Sequence, residues 1–219
     1  MSPFIKLVWM KETGYEAYLK ASMFVSIKEY ILFKWTGEWV VDYSIASASG
    51  LLNIHTLDWD EQTLQIAGIH RNQLSKIVPC TEIVGPLKDA VAKALFLDKN
   101  VPLIVGSSDG VLANIGLGAI ENGETALTIG TSGAIRRFSN EGKIDGEQRT
   151  FQYRFSKKSC IIGGASNNGA VLLQWLATQF SNITKEESVS IADLERIAST
   201  SEPGANGLFF MPYLSGERA

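Results

Sequence analysis

Apolar residues at helical spacing dominate the first half of the chain, and short apolar runs bounded by turn residues follow, so helices should come first and mixed strand and helix later. Ser2-Pro3 suits a helix start with proline at the first helical position, and Ile5, Val8 and Trp9 keep the helical period behind it. Ser26-Ile27-Lys28-Glu29 is a capping box, in which serine and glutamate each satisfy an orphan backbone donor; it predicts a helix over 27–36, ended by Gly37. Residues 41–50 are rich in small side chains and are expected to be irregular. Asp58-Trp59-Asp60-Glu61 places carboxylates in the first turn of a further helix, where the helix dipole favours them, and Gly68 closes it. Another helix is expected from Pro86 to about Leu97.

The pattern changes at Val101. Residues 101–105 are a short apolar run of the kind that forms a buried strand, and a helix rich in small residues is expected over 111–120. Residues 124–130 and 134–138 flank Thr131-Ser132-Gly133 as a hairpin with a tight loop. A strand at 159–162, a flexible glycine-rich turn at 163–169, helices at 170–176 and 191–198, and a last apolar strand at 207–214 complete the reading. Repeats and low-complexity tracts are absent, and the expected lobe boundary lies near residues 120–123.

Composition adds exclusions. With 45% hydrophobic and 20% charged residues, the 219-residue chain can bury a core, and its length allows two small lobes. Twenty Lys and Arg against 23 Asp and Glu give a net charge of -3, and the basic runs stop at pairs such as Arg136-Arg137 and Lys157-Lys158, so neither nucleic acid nor an anionic membrane is an expected partner. Lys6 and Lys11 interrupt the opening apolar residues, and no stretch approaches the roughly 20 apolar residues that span a bilayer, so the expected location is the cytoplasm. Cys80 and Cys160 are far apart and expected to be plain buried thiols; His55 and His70 lack partners at metal-ligand spacing.

Three segments could carry chemistry. Gly106-Ser107-Ser108-Asp109-Gly110 lies on an expected strand-to-helix turn, where open α/β sheets place functional residues. Its Gly-x-Ser-x-Gly pattern fits a hydrolase nucleophile elbow at Ser108, but that chain order needs a histidine downstream and both histidines lie upstream. Alternatively Asp109 accepts a proton from a substrate hydroxyl, or it simply caps the following helix; the last two roles are compatible. Gly130-Thr131-Ser132-Gly133 could cradle phosphate with backbone amides and hydroxyls, or be an ordinary hairpin loop. The turn from Gly163 to Gly169 entering a helix at Ala170 could bind an anion at the helix N-terminus, although close strand-on-helix packing explains the glycines equally well. P-loop and protein-kinase signatures are both missing, so phosphoryl transfer here needs a different fold.

Read in order, these segments resemble the FGGY carbohydrate kinases, relatives of glycerol kinase and xylulokinase in the actin and hexokinase group. The resemblance is carried by Met1-x-Pro3-x-x-Lys6-Leu7-x-Trp9-Met10-x-Glu12, Val41-Asp42-Tyr43-Ser44-x-Ala46-Ser47, Asn53-Ile-His-Thr-Leu-Asp-Trp-Asp60 and Pro212-x-Leu214-x-Gly216-Glu217-Arg218. Thr13 departs from the polar residue usual at the end of the first of these. The resemblance implies an α/β, actin/hexokinase-like (ribonuclease H-like) two-lobed fold, present as a partial segment. Residues 1–120 would be the C-terminal part of the family's N-terminal substrate domain, and residues 121–219 the N-terminal part of its nucleotide domain.

By the same resemblance Asp109 is the catalytic base. Asp109, Gly110 and Met1 would bind substrate, and Gly130, Thr131, Ser132, Gly133, Gly169, Ala170 and Gln174 the nucleotide. ATP and Mg2+ are the implied cofactors; no direct metal ligand is expected, and Asp109 would approach Mg2+ only through water. Met-Ser-Pro-Phe-Ile-Lys-Leu and Thr-Ile-Gly-Thr-Ser-Gly-Ala-Ile-Arg look most like the family's gluconate-phosphorylating members, implying a small-molecule sugar acid as partner. Xylulose, ribulose or glycerol as substrate, a non-catalytic fragment, and a homodimer stay open. The family's opening Asp-x-Gly-Thr phosphate loop is not in this chain. The charged pair Glu217-Arg218 is expected to be mainly structural.

Overall fold

A computed structural model describes residues 2–184, 188–213 and 216–217. Local chemistry sets the first elements. Helix α1 (Pro3–Glu12) has proline in its first turn, and α2 (Glu16–Lys20) follows. Helix α3 (Ile27–Thr36) begins at the capping box, with Ser26 Oγ accepting from Glu29 N at 3.4 Å and Glu29 Oε2 accepting from Ser26 N at 2.7 Å, and ends at Gly37, left-handed at φ 91°. These match the sequence expectation, as does α5 (Glu61–Ala67), capped by Asp60 and ended by left-handed Gly68.

Residues 41–50 are ordered, against the expectation of irregular chain. Strand β1 (Val40–Asp42) runs directly into α4 (Tyr43–Ala48), because Asp42 Oδ1 accepts from Ser44 N at 2.9 Å and caps the helix. The small residues that looked like loop let α4 pack closely on its neighbours, with Ala46 and Ser44 each 1% exposed. Strands β2 (Leu52–Asn53) and β3 (Asp58–Trp59) pair antiparallel, so Asp58 belongs to a strand and only Asp60 starts the helix. After a 3-10 turn at Arg71–Gln73, β4 (Lys76–Val78) pairs parallel with β1 in the register Val41 to Ile77.

Strand β5 (Ile83–Val84) is followed by α6 (Asp89–Leu95), which starts later than Pro86 because the amides of Leu87 and Lys88 donate to Lys99 O and Trp35 O at 2.9 and 2.8 Å instead of entering a helix. Strand β6 (Leu103–Ile104) pairs antiparallel with β5. Only part of the 101–105 run is buried: Val105 is 4% exposed, Ile104 48%. Helix α7 (Asp109–Gly116) starts at Asp109 itself and stops before left-handed Gly118, short of the expected 120.

Strands β7 (Thr125–Ile129), β8 (Gly133–Ser139), β9 (Phe151–Arg154) and β10 (Cys160–Ser166) form a four-stranded sheet in the order β7-β8-β10-β9. The β7–β8 hairpin is as expected; β1 to β5 and β9 have no strand counterpart in the sequence reading. Strand β10 continues through Gly163 and Gly164, so the flexible turn shrinks to residues 167–170 before α8 (Val171–Thr184). Helix α9 (Ile191–Ala198) carries its own capping box, Ser190 with Asp193. Residues 208–213 form no strand: after a 3-10 turn at Ala205–Gly207 no described strand offers them ladder bonds, and Leu208 to Met211 are exposed. Leu214 lies outside the described residues.

The chain divides into two compact units, Met1–Thr125 with Arg137–Ile162, and Ala126–Arg136 with Gly163–Ala219. In the first unit Leu7, Val41, Ala46, Leu52, Trp59 and Leu64 make one core, Leu32, Val40, Val78, Val84 and Val105 a second, and Val111, Phe138 and Ile161 a third. Burying a side chain such as Val111 contributes about 2 kcal/mol, and this anchors α7 against β8 and β10. No described helix is long and apolar enough to cross a membrane.

Candidate active site

Asp109 occupies the first turn of α7, exposed, behind Ser108 as N-cap. Its Oδ1 accepts from Gly110 N at 2.7 Å, so the carboxylate lies against the start of the helix. Of the alternatives left by sequence, the N-cap position itself goes to Ser108. Gly110 is buried, its amide taken up by Asp109. The approach is sharply turned: Gly106 adopts φ 72°, a left-handed conformation that favours glycine, and its amide donates to Cys80 O at 2.8 Å. A hydrolase elbow gains nothing, since Ser108 Oγ is buried without a hydrogen-bond partner and no base lies against it.

A buried polar chain runs behind this turn. Lys28 Nζ pairs with Asp42 Oδ2 at 2.6 Å, Ser44 Oγ donates to Asp42 Oδ1, and Ser107 Oγ and Ser108 N both donate to Ser44 Oγ at 2.8 Å. Asp42 is fully buried and Lys28 about three-quarters buried. In the sequence, Asp42 and Ser44 stand out only as part of a segment that carries the family resemblance. An Asp-x-Ser pattern at a helix start was a legible cap signal; the partnership with Lys28 and Ser107 was not.

The second unit holds the other candidates. In the turn between β7 and β8, Gly130 N donates to Ser132 O at 2.8 Å, while the amides and hydroxyls of Thr131 and Ser132 are exposed and take no partner among the described residues. These are the groups a phosphate nest needs. The helix N-terminus read as an anion site is arranged differently: the amides of Gly169 and Ala170 donate to Thr131 O and Gly130 O at 3.1 and 2.7 Å. They are occupied in holding the turn. A Cβ on Gly169 would lie 2.5 Å from Gly130 O and 2.5 Å from the Ser132 carbonyl carbon, so only glycine fits. Gln174 is exposed on α8.

Glu217 braces the segment entering α8. Its carboxylate accepts from Ser166 Oγ at 2.7 Å, Asn167 N at 2.9 Å and Asn168 Nδ2 at 2.8 Å, which gives the glutamate the structural role expected of it. Met1 and Arg218 lie outside the described residues. No three His, Cys, Asp or Glu side chains among the described residues cluster as a metal-holding group. Burial raises the thiol pKa of Cys160 and of Cys80, the latter helped by the Asp42 charge; Cys160 is buried as expected, whereas Cys80 is only half-buried. A cleft of about 800 Å3 is lined by His55, Arg71, Lys76 and Lys157, but Asp109 is not part of it and Arg71 is already paired with Asp58 and Glu61.

Residues 1–116 match the model of the FGGY family of carbohydrate kinases, N-terminal domain, which is over half of the chain. The chain belongs to the FGGY family. Across its whole length it is 42% identical to a gluconokinase of Bacillus subtilis, covering 44% of that protein. Among solved structures it is similar to a gluconate kinase from Lactobacillus acidophilus (38% identity, TM-score 0.93) and to a ligand-bound xylulose kinase from the same organism (38%, 0.92), covering all of this chain and 44% of each. The FGGY chain thus has the actin/hexokinase-like fold as a partial segment, spanning less than half the length of these relatives.

Proposed function

We propose that the protein to which this chain belongs transfers the γ-phosphoryl of ATP to a hydroxyl of gluconate, giving 6-phosphogluconate, with Asp109 as general base. The observation that carries the reading is Asp109 itself: an exposed carboxylate at a helix start, on a turn whose conformation is held from behind by buried hydrogen bonds. Asp109 accepts the proton of the attacking hydroxyl, a step contributing about 10²–10⁴-fold. Gly110 lines the same turn, and Met1 is assigned to the substrate as well. Thr131 and Ser132 donate amide and hydroxyl protons to phosphate oxygens, Gly130 and Gly133 give the turn its close approach, Gly169 and Ala170 keep its shape, and Gln174 reaches the nucleotide from α8.

Mg2+ suits this donor set, because it is held by one or two carboxylates, water and substrate phosphates rather than by a protein cage. Bound with ATP, it would neutralise charge on the transferring phosphoryl group. Gluconate is favoured over a ketose by the 42% identity to a gluconokinase across the whole chain. The test is coupled ADP release with the full-length protein on gluconate, xylulose, ribulose and glycerol. Gluconate should be preferred, and Asp109→Asn should lower kcat by about 10²-fold or more; a clear preference for a ketose, or an unaffected Asp109→Asn variant, overturns the assignment. A second reading, that these residues alone turn nothing over, is favoured by the chain spanning 44% of its relative, and the same assay on the isolated chain tests it.

A further inference from the structure

Ser44 lies in the first turn of α4, 1% exposed, and every hydrogen-bonding capacity of its hydroxyl is used. It donates to Asp42 Oδ1 and accepts from Ser107 Oγ and Ser108 N, both at 2.8 Å. A hydroxyl offers one proton and two lone pairs, so nothing is left over. Its bracing is equally complete. Asp42 is 0% exposed and also receives Ser44 N, Ile45 N at 3.3 Å and the Lys28 ammonium, so its carboxylate has no freedom to swing.

The other end of this chain of bonds is the backbone immediately before Asp109. Ser108 is the N-cap of α7, yet its own side chain makes no capping bond and its Oγ is buried without a partner. The N-cap is therefore held by a hydroxyl from another helix, 64 residues earlier. Gly106 on one side is conformationally permissive, and Val111 on the other is packed at 0% exposure, so the Ser44 bonds fix the short stretch between a hinge-like residue and an anchored helix.

We infer that Ser44, braced by Asp42 and Lys28, is a positioning residue that sets the direction of the Asp109 carboxylate through residues 107–108. This rests on the proposed role of Asp109 as base and deepens it. Ser44→Ala removes the junction and leaves two buried donors unmet. In the full-length protein it should lower kcat by about ten- to hundred-fold, the scale of a misplacement near 1 Å, with KM for both substrates within about twofold. Ser44→Thr keeps the hydroxyl and should recover most of the rate. A kcat unchanged in folded Ser44→Ala, or a loss that rises in KM instead, overturns the inference.

If Ser44→Ala does not fold, Ser107→Ala removes one arm only and should still depress kcat severalfold; an unaffected Ser107→Ala variant then counts against the junction. Amide exchange separates this inference from the reading it rests on. Should the wild-type protein phosphorylate none of the sugars, the base assignment fails, while positioning is still read at Ser108 N: exchange about tenfold or more faster in the variant supports it, and unchanged exchange overturns it.

Discussion

Removing Lys28 or Asp42 singly should cost more than removing both in proportion. Asp42 has no exposed surface, and its side chain accepts from Lys28 at 2.6 Å and from Ser44 N and Ile45 N at 2.9 and 3.3 Å. Lys28→Met leaves the carboxylate buried with its amide donors but without countercharge. Breaking a fully buried pair costs 3–5 kcal/mol; since the Lys28 side chain is 26% exposed and water reaches the pair from that side, about 3 kcal/mol is expected. Asp42→Asn keeps the oxygen that caps α4, and asparagine caps as well as aspartate, but its amide faces an ammonium; about 2 kcal/mol is expected. In the double variant no lone charge remains, so its cost should fall about 1.5–2 kcal/mol short of the sum. Urea unfolding of the full-length protein and its three variants gives the four free energies. Additivity to within about 0.5 kcal/mol would refute the reasoning, because the pair would then be energetically independent despite its burial.

Two further outcomes follow from other parts of the molecule. Gly169→Ala sets a Cβ 2.5 Å from backbone atoms that no rotamer change can move, so the 130–133 turn must shift; KM for ATP should rise about tenfold or more while KM for the sugar stays put, and equal changes in both would sink the phosphate-turn assignment. The Arg71 guanidinium beside Asp58 holds that carboxyl below its usual value, with the Trp59 amide adding to it. A lowered folded pKa means the stabilisation is fully present above the ordinary carboxylate range near pH 4 and is lost as pH falls through the folded value. Carboxyl NMR titration should therefore find Asp58 below its ordinary range in the wild type and shifted up toward it in Arg71→Ala, where the Trp59 amide still lowers it in part; an unmoved Asp58 in that variant would contradict the ion pair.

What was legible in the sequence was whatever is decided within a few residues. The capping box at Ser26, the glycine stop at Gly37 and the hairpin around Thr131 each rest on neighbours three or four positions apart, and the structure places them as read; the helix over 191–198 is also as expected, and the Ser190 capping box that starts it, although equally local, is found only in the structure. Errors came where distant partners compete for the backbone. Residues 41–50 look like loop until β4, more than 30 positions later, pairs with β1; Pro86 looks like a helix start until Lys99 and Trp35 claim the next two amides. Residues 208–213 look like a strand because apolar runs usually find a ladder, and among the described residues these do not.

The same distinction explains which half of the catalytic reading could be seen. Asp109 was visible because strand, turn, carboxylate and helix follow one another along the chain. A base must also be held still, and the local bond from Gly110 N to the Asp109 carboxylate does not by itself fix the backbone that carries both, which leaves permissive Gly106 three residues earlier. The means of fixing it come from Ser44, which reaches the turn across 63 and 64 residues of sequence, and from a buried ion pair that fixes Ser44 in turn. Buried charge is costly to keep, and Lys28–Asp42 contributes little net stability over an apolar pair of equal volume. If its position behind the turn that carries the proposed base serves orientation, Lys28→Met, which leaves Asp42 and through it Ser44 less firmly held, should lower kcat as well as stability, though kcat by less than Ser44→Ala does.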